Sequence, residues 1–201
     1  MFRPVLPLAA ARPPWPAGSA NSPGTTRSAG TTAGTALALH ALRQLLGRTV
    51  EPSEIIFQQG EKPRLAAPAA LAAGDSSHVR TRTARWEEAG ADFSISHAGP
   101  WVACAALTGG RVGLDIEMGT DERIAQWVLR EALLKASGEG LRGLREVQDL
   151  AVHEGRVRWG VDSWRVQRLG GFDGASACIV CSREIAALES HPLSPAELFV
   201  T

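Results

Sequence analysis

Leu37, Leu39, Leu42, Leu45 and Leu46 recur at helical spacing from Thr35 onward, and Gly47 supplies a stop, so the first strong pattern in the chain predicts a helix. Glu54-Ile55-Ile56-Phe57-Gln58 predicts a short strand, closed by Gly60 and a turn at Lys62-Pro63. Three apolar runs follow over 93–96, 101–107 and 112–117. Glycines at 99, 109 and 110 punctuate them, which predicts a strand, a second strand and a hairpin into a third. A helix over about 121–137 comes next, with Asp121 and Glu122 near the positive end of its dipole and Gly138 near its stop. The runs 156–159, 164–168 and 175–181 predict a small antiparallel sheet. The Ala-rich stretch from Ala66 to Ala91 fits either helix or loop.

Helix then strands, twice over, predicts an α+β protein of two similar lobes related by pseudo-twofold symmetry, each with a small antiparallel sheet packed on a helix. The expected division is a Pro/Ala/Gly-rich, partly irregular segment over 1–34, an N-terminal lobe over 35–108 and a C-terminal lobe over 109–201.

Composition narrows the classes of function. The 201 residues suffice for one substantial domain or two small lobes sharing a core. Lys plus Arg (21) balances Asp plus Glu (21), so a broad basic field for nucleic acid is absent and any phosphate must be gripped locally. No apolar run approaches the roughly 20 residues that span a bilayer. The run after Arg3 is interrupted by Pro7 and closed by Arg12, which argues against export. Three cysteines are too few for a secreted disulfide framework, so a cytoplasmic protein is expected. Cys178 and Cys181 carry CxxC spacing, but they lie in an apolar run and lack a second ligand pair, which favours packing over zinc or redox chemistry.

Strand alternation over 112–117 puts Leu114 and Ile116 on one face and Asp115 and Glu117 on the other. Adjacent carboxylates raise each other's pKa unless a cation lies between them, so the pair is either solvated or a seat for a hard divalent metal. Taken alone, it reads as solvent-facing. Trp127, Glu131 and Lys135, four residues apart, share one side of the following helix at the margin of an apolar stripe. Alone, Glu131 and Lys135 would be a surface pair worth a few tenths of a kcal/mol. Together with Asp115 and Glu117 they supply three carboxylates for Mg2+ and a cation for the same phosphates. Ser96 and His97, at the turn between two strands, could donate hydrogen bonds to an anion, although a lone His is more often structural.

Four segments in order resemble the Sfp-type 4′-phosphopantetheinyl transferases: Glu61-Lys62-Pro63-Arg64-Leu65, Phe93-Ser94-Ile95-Ser96-His97-Ala98, Gly113-Leu114-Asp115-Ile116-Glu117, and the helix from Trp127 through Arg130-Glu131 to Lys135. Gly138-Glu139-Gly140-Leu141 is similar to the family's glycine motif after that helix. The resemblance covers roughly residues 36–183. It implies transfer of the phosphopantetheine arm of coenzyme A to a serine of an apo acyl or peptidyl carrier protein, for fatty acid, polyketide or nonribosomal peptide synthesis. It further implies Mg2+ held by Asp115, Glu117 and Glu131, with Glu131 taking the serine proton directly or through a metal-bound water. Lys135 would stabilise charge on the transferring phosphate, Ser96 and His97 would bind the 3′-phosphate, Lys62 and Pro63 would lie near the adenine, and Arg43 would meet the coenzyme phosphates. Arg130 stands where the family has Lys, and nine residues separate Glu117 from Trp127 where the family has a longer segment. A divergent, non-catalytic relative that binds coenzyme A or a carrier protein is the alternative. With both halves of the site in one chain, a monomer is expected.

Overall fold

The computed structural model describes residues 5–11, 25–58, 61–66, 90–145, 147–148, 150–185, 187–194 and 197. Strand β1 spans Val5–Ala11 and helix α1 spans Thr25–Leu46. A one-turn helix at Pro52–Glu54 leads into the small hairpin of β2 (Ile55–Ile56) and β3 (Arg64–Leu65). Then come β4 (Ala91–Ala98), β5 (Trp101–Thr108), β6 (Val112–Met118) and helix α2 (Glu122–Ser137). A short 3-10 helix at Gly140–Arg145 precedes strands β7 (Val152–His153), β8 (Arg156–Trp159), β9 (Asp162–Leu169), β10 (Ala175–Cys181) and β11 (Ala187–Leu193).

The protein is mixed helix and sheet, as its periodicities predict. One sheet runs in the order β11-β1-β5-β4 and the other β6-β10-β9-β8-β7. The second is antiparallel throughout. The first is mixed, because β11 pairs parallel with β1 while β1-β5 and β5-β4 are antiparallel. Strand β1 and the opening turns of α1 fall within the segment expected to be partly irregular, and β11 joins the sheet that contains β4 and β5. Residues 67–89, most of the Ala-rich stretch, lie outside the described residues.

Three apolar cores stack between the elements. Leu37, Ala38, Ala41 and Leu42 of α1 pack against Phe93 of β4 and Val102, Cys104 and Ala106 of β5. The other face of β5, Trp101, Ala103, Ala105 and Leu107, meets Val112, Leu114 and Ile116 of β6 and Ala177, Ile179 and Cys181 of β10. Beyond that sheet, Val128, Leu129, Ala132, Leu133 and Ala136 of α2 cover Cys178 and Val180 of β10 together with Val157 and Trp164. Strand alternation sorts these residues, since successive side chains on β5 and β10 enter different cores. Cys178 and Cys181, three apart on one strand, therefore occupy opposite faces, and burial pushes their thiols up to about 12 and about 11.

Strand β4 and strand β6 meet side by side without sharing a backbone ladder. Asp92 Oδ2 accepts the Val112 N–H at 2.8 Å, Ser94 Oγ the Leu114 N–H at 3.0 Å and Ser96 Oγ the Ile116 N–H at 3.3 Å. Alternate side chains of one strand thus satisfy alternate backbone donors of the other, groups that would be costly to bury unpaired. Lys62 closes one end of this seam, with its Nζ 2.5 Å from Asp92 Oδ2 and 2.6 Å from Val112 O.

Candidate functional site

The site lies at the other end of the seam, where β6 leaves β4 and α2 lies across it. Alternation on β6 buries Leu114 and Ile116 in the central core and turns Asp115 towards α2. Close approach of the helix depends on Gly113, because a Cβ there would stand 1.9 Å from Ala132 O and 2.5 Å from Ala136 N. With the helix that near, Lys135 reaches the strand. Its Nζ lies 2.6 Å from Asp115 Oδ1, 3.1 Å from Ser96 Oγ and 3.2 Å from Leu114 O.

Helix α2 starts at once because Asp121 caps it, its side chain accepting the Ile124 N–H at 3.0 Å, and it ends at Gly138. The link from β6 is short. Gly119 makes it possible with φ +112, a conformation that L side chains rarely adopt, and its N–H donates to Gly174 O at 2.8 Å. Ser176 Oγ donates to Gly119 O at 2.8 Å, so the link is tied to the turn before β10.

Asp115 is 3 % exposed. Oδ1 accepts from both Lys135 and Ser96, the latter at 2.9 Å, whereas Oδ2 is buried without a hydrogen-bond partner among the described residues. Glu117 and Glu131 are half-buried nearby. Desolvation, and then the charge of Asp115, raises the pKa of each, with Lys135 opposing in both cases. Glu117 adds to the rise at Glu131, and His97 opposes it at Glu117. Glu117 and Glu131 thus both feel the charge of Asp115, and oxygen donors of this kind suit a hard divalent cation. Among the described residues, no three His, Cys, Asp or Glu side chains form a ready-made metal cluster. The buried, unpartnered Oδ2 nevertheless leaves one acceptor that a cation there would satisfy.

Other residues singled out from the sequence fall in several places. Ser96 is buried at the seam and bonded to Asp115, while His97, next in the chain, is exposed. Lys62 and Pro63 precede β3, and Lys62 pairs with Asp92 at the far end of the seam. Arg43 is exposed and donates through Nε and Nη2 to Val50 O, at 3.1 and 2.9 Å. Arg130 donates to Gln148 O. Trp127 is partly exposed on α2.

Sequence reasoning missed Asp92 and Ser94, which hold β6 in place. Their signal was the polar alternation Asp92, Ser94, Ser96, readable as a strand face but silent about what it faces. No known protein-family model matches the chain, and no curated protein matches it either.

Proposed function

We propose that the protein transfers the 4′-phosphopantetheine group of coenzyme A to a serine of an apo acyl or peptidyl carrier protein, as the resemblance of its motifs implies. The observation that carries this is the meeting of three motif segments far apart in sequence: Ser96 and Lys135 are both within hydrogen-bond distance of Asp115 Oδ1. Glu117 and Glu131 join them, each feeling the charge of Asp115.

Asp115, Glu117 and Glu131 would hold Mg2+, whose chemistry when bound is to neutralise charge on the coenzyme's pyrophosphate. Glu131 is the candidate general base. Its raised pKa makes it a stronger proton acceptor than an ordinary carboxylate, and it is half-buried on α2 at the side of the site. It would take the hydroxyl proton as the serine oxygen bonds to the pantetheine phosphate. The bond from that phosphate to the adenosine half of the coenzyme then breaks, and adenosine 3′,5′-bisphosphate leaves. His97, exposed beside Ser96, would meet the 3′-phosphate, and Lys135 falls to the transferring phosphate on the resemblance alone.

The two-lobe reading of the fold belongs with this proposal. It is supported by matching element orders: β1, α1, the β2-β3 hairpin, β4 and β5 in the first half, and β6, α2, the β7-β8 hairpin, β9 and β10 in the second. Each half also orders its three main strands alike, as β1-β5-β4 and β6-β10-β9. Such a chain brings both halves of a site together and needs no second copy, which favours a monomer in the cytoplasm.

A second reading, a non-catalytic relative that binds coenzyme A or a carrier protein, is favoured by the short link between β6 and α2, where the family carries a longer segment. Incubation with a fluorescent coenzyme A analogue, Mg2+ and a panel of apo carriers separates the two. The transferase labels at least one carrier, and the binding protein labels none while still giving a calorimetric signal.

A further inference from the structure

Helix α1 and strand β11 meet through two imidazoles. The rings of His40 and His191 stand edge to face, with 5.9 Å between centroids and 65° between planes. Leu193 packs on the core that α1 shares with β4 and β5, and strand alternation puts Glu189 and His191 on that same side of β11. Glu189 Oε2 lies 3.8 Å from His191 Nε2, beyond hydrogen-bond distance. The Nε2 atoms of both histidines are buried and, among the described residues, have no hydrogen-bond partner. Each ring nitrogen of a neutral imidazole is a donor or an acceptor, and burying one unpaired is costly. Two such atoms at one contact are a cost that apolar packing does not repay.

The donors are of the right kind for a metal and nearly at the right separation. Around a tetrahedral zinc ion with ligands at about 2.0–2.1 Å, neighbouring donors lie roughly 3.3 Å apart and the centres of two bound imidazoles roughly 5 Å apart. The 3.8 Å and 5.9 Å separations exceed these by less than about 1 Å. Glu189 is exposed and free to swing inward, so the three close on an ion rather than standing as a ready-made cluster. Burial, then the charges of His191 and Arg43, hold the His40 pKa below the ordinary histidine value, which keeps the ring in the neutral form that binds metal. Glu189 is the negative group that offsets Arg43, and β1, which pairs with β11 and contacts α1, carries no ionisable side chain.

We propose that His40, His191 and Glu189 form a second metal seat, for zinc or a similar borderline transition ion, that clips β11 to α1. Imidazoles with one carboxylate suit such an ion, whereas Mg2+ prefers the all-oxygen donors on β6 and α2. Strand β11 is a strand that such a clip would hold: it lies at the sheet edge, pairs with β1 alone, and offers the cores Leu188 and Leu193, each partly buried. The seat shares no residue with the carboxylate site and does not rest on the transferase reading.

Titration calorimetry of the full chain with Zn2+, in excess Mg2+ to fill the carboxylate site, compares wild type with His40→Gln, His191→Gln and Glu189→Gln. Loss of either imidazole is expected to weaken Zn2+ binding by about 100-fold or more, and loss of the carboxylate by about tenfold. His153→Gln, on β7 in the other sheet, is expected to match wild type. Zn2+ is also expected to raise the melting temperature of wild type and of neither variant at 40 or 191. Imidazole nitrogen NMR of the wild-type chain needs no substitution: Zn2+ is expected to shift the Nε2 resonances of His40 and His191 and to leave those of His153 in place. Equal Zn2+ affinity in wild type and the two histidine variants overturns the proposal, and so does Zn2+ that leaves both Nε2 resonances unmoved.

Discussion

Asp115 gives one oxygen to Ser96 and Lys135 and keeps the other buried and, among the described residues, unpartnered, while Glu117 and Glu131 stand near enough to feel its charge. Without a bound cation these carboxylates oppose one another. The pKa values of Glu117 and Glu131 in the folded protein lie above the ordinary carboxylate value, so folding favours their protonated forms. That contribution to stability is fully present below the unfolded pKa and is lost as pH rises through the folded one. Glu131→Gln removes one of the opposed charges. In EDTA near pH 7 the variant is expected to melt above wild type, with the difference closing as pH falls towards about 4. Saturating Mg2+ is expected to reverse the order, since wild type alone keeps all three carboxylates. Scanning calorimetry across that range checks both, and a Glu131→Gln variant that melts below wild type in EDTA at neutral pH would remove the opposed charges from the site. At this scale much was legible in the sequence. The alternation of Leu114, Asp115, Ile116 and Glu117 assigns their faces, and the spacing of Glu131 and Lys135 puts them on one side of a helix. The partner of Lys135 was not legible, because it depends on how the helix lies on the strand.

At the scale of elements, that placement rests on Gly113. Helix α2 lies so near β6 that a methyl group there would collide with the backbone of Ala132 and Ala136, which no side-chain rotation relieves. Gly113→Ala is therefore expected to cost about 3 kcal/mol or more, or to abolish folding. Denaturant unfolding measures it, and a loss below about 1 kcal/mol would mean the helix sits farther out. Helix α2 itself is well written in the sequence, with Asp121 as its cap and Gly138 as its stop. Strands β1 and β11 are not. Pro7 interrupts one and Pro192 the other, and the pairing of Val5 with Ala187 joins opposite ends of the chain, a contact that no local pattern encodes. The CxxC spacing was legible as packing because it lies in an apolar run without a second ligand pair, and on the strand its two cysteines enter different cores.

At the scale of the whole molecule, two sheets share a central core, and the side-chain seam between β4 and β6 sets the site's position between them. Lys62 holds the far end of that seam. Its Nζ and the Asp92 carboxylate it meets are both largely buried, so Lys62→Met leaves Asp92 without its counter-charge. We expect a loss of about 2–3 kcal/mol in denaturant unfolding, with affinity for coenzyme A unchanged in the folded variant. Weakened coenzyme binding at unaltered stability would instead place Lys62 on the ligand. The alternation that makes the seam is visible in the sequence, but its register against β6 is a property of the folded chain. The most direct test of the central claim is intact-mass spectrometry of apo carrier proteins incubated with coenzyme A and Mg2+, using wild type and Asp115→Ala side by side. The site described here predicts a gain of one phosphopantetheine on a carrier serine with wild type, abolished by EDTA and by Asp115→Ala. The same mass gain from Asp115→Ala, or none from wild type on any carrier, would contradict it.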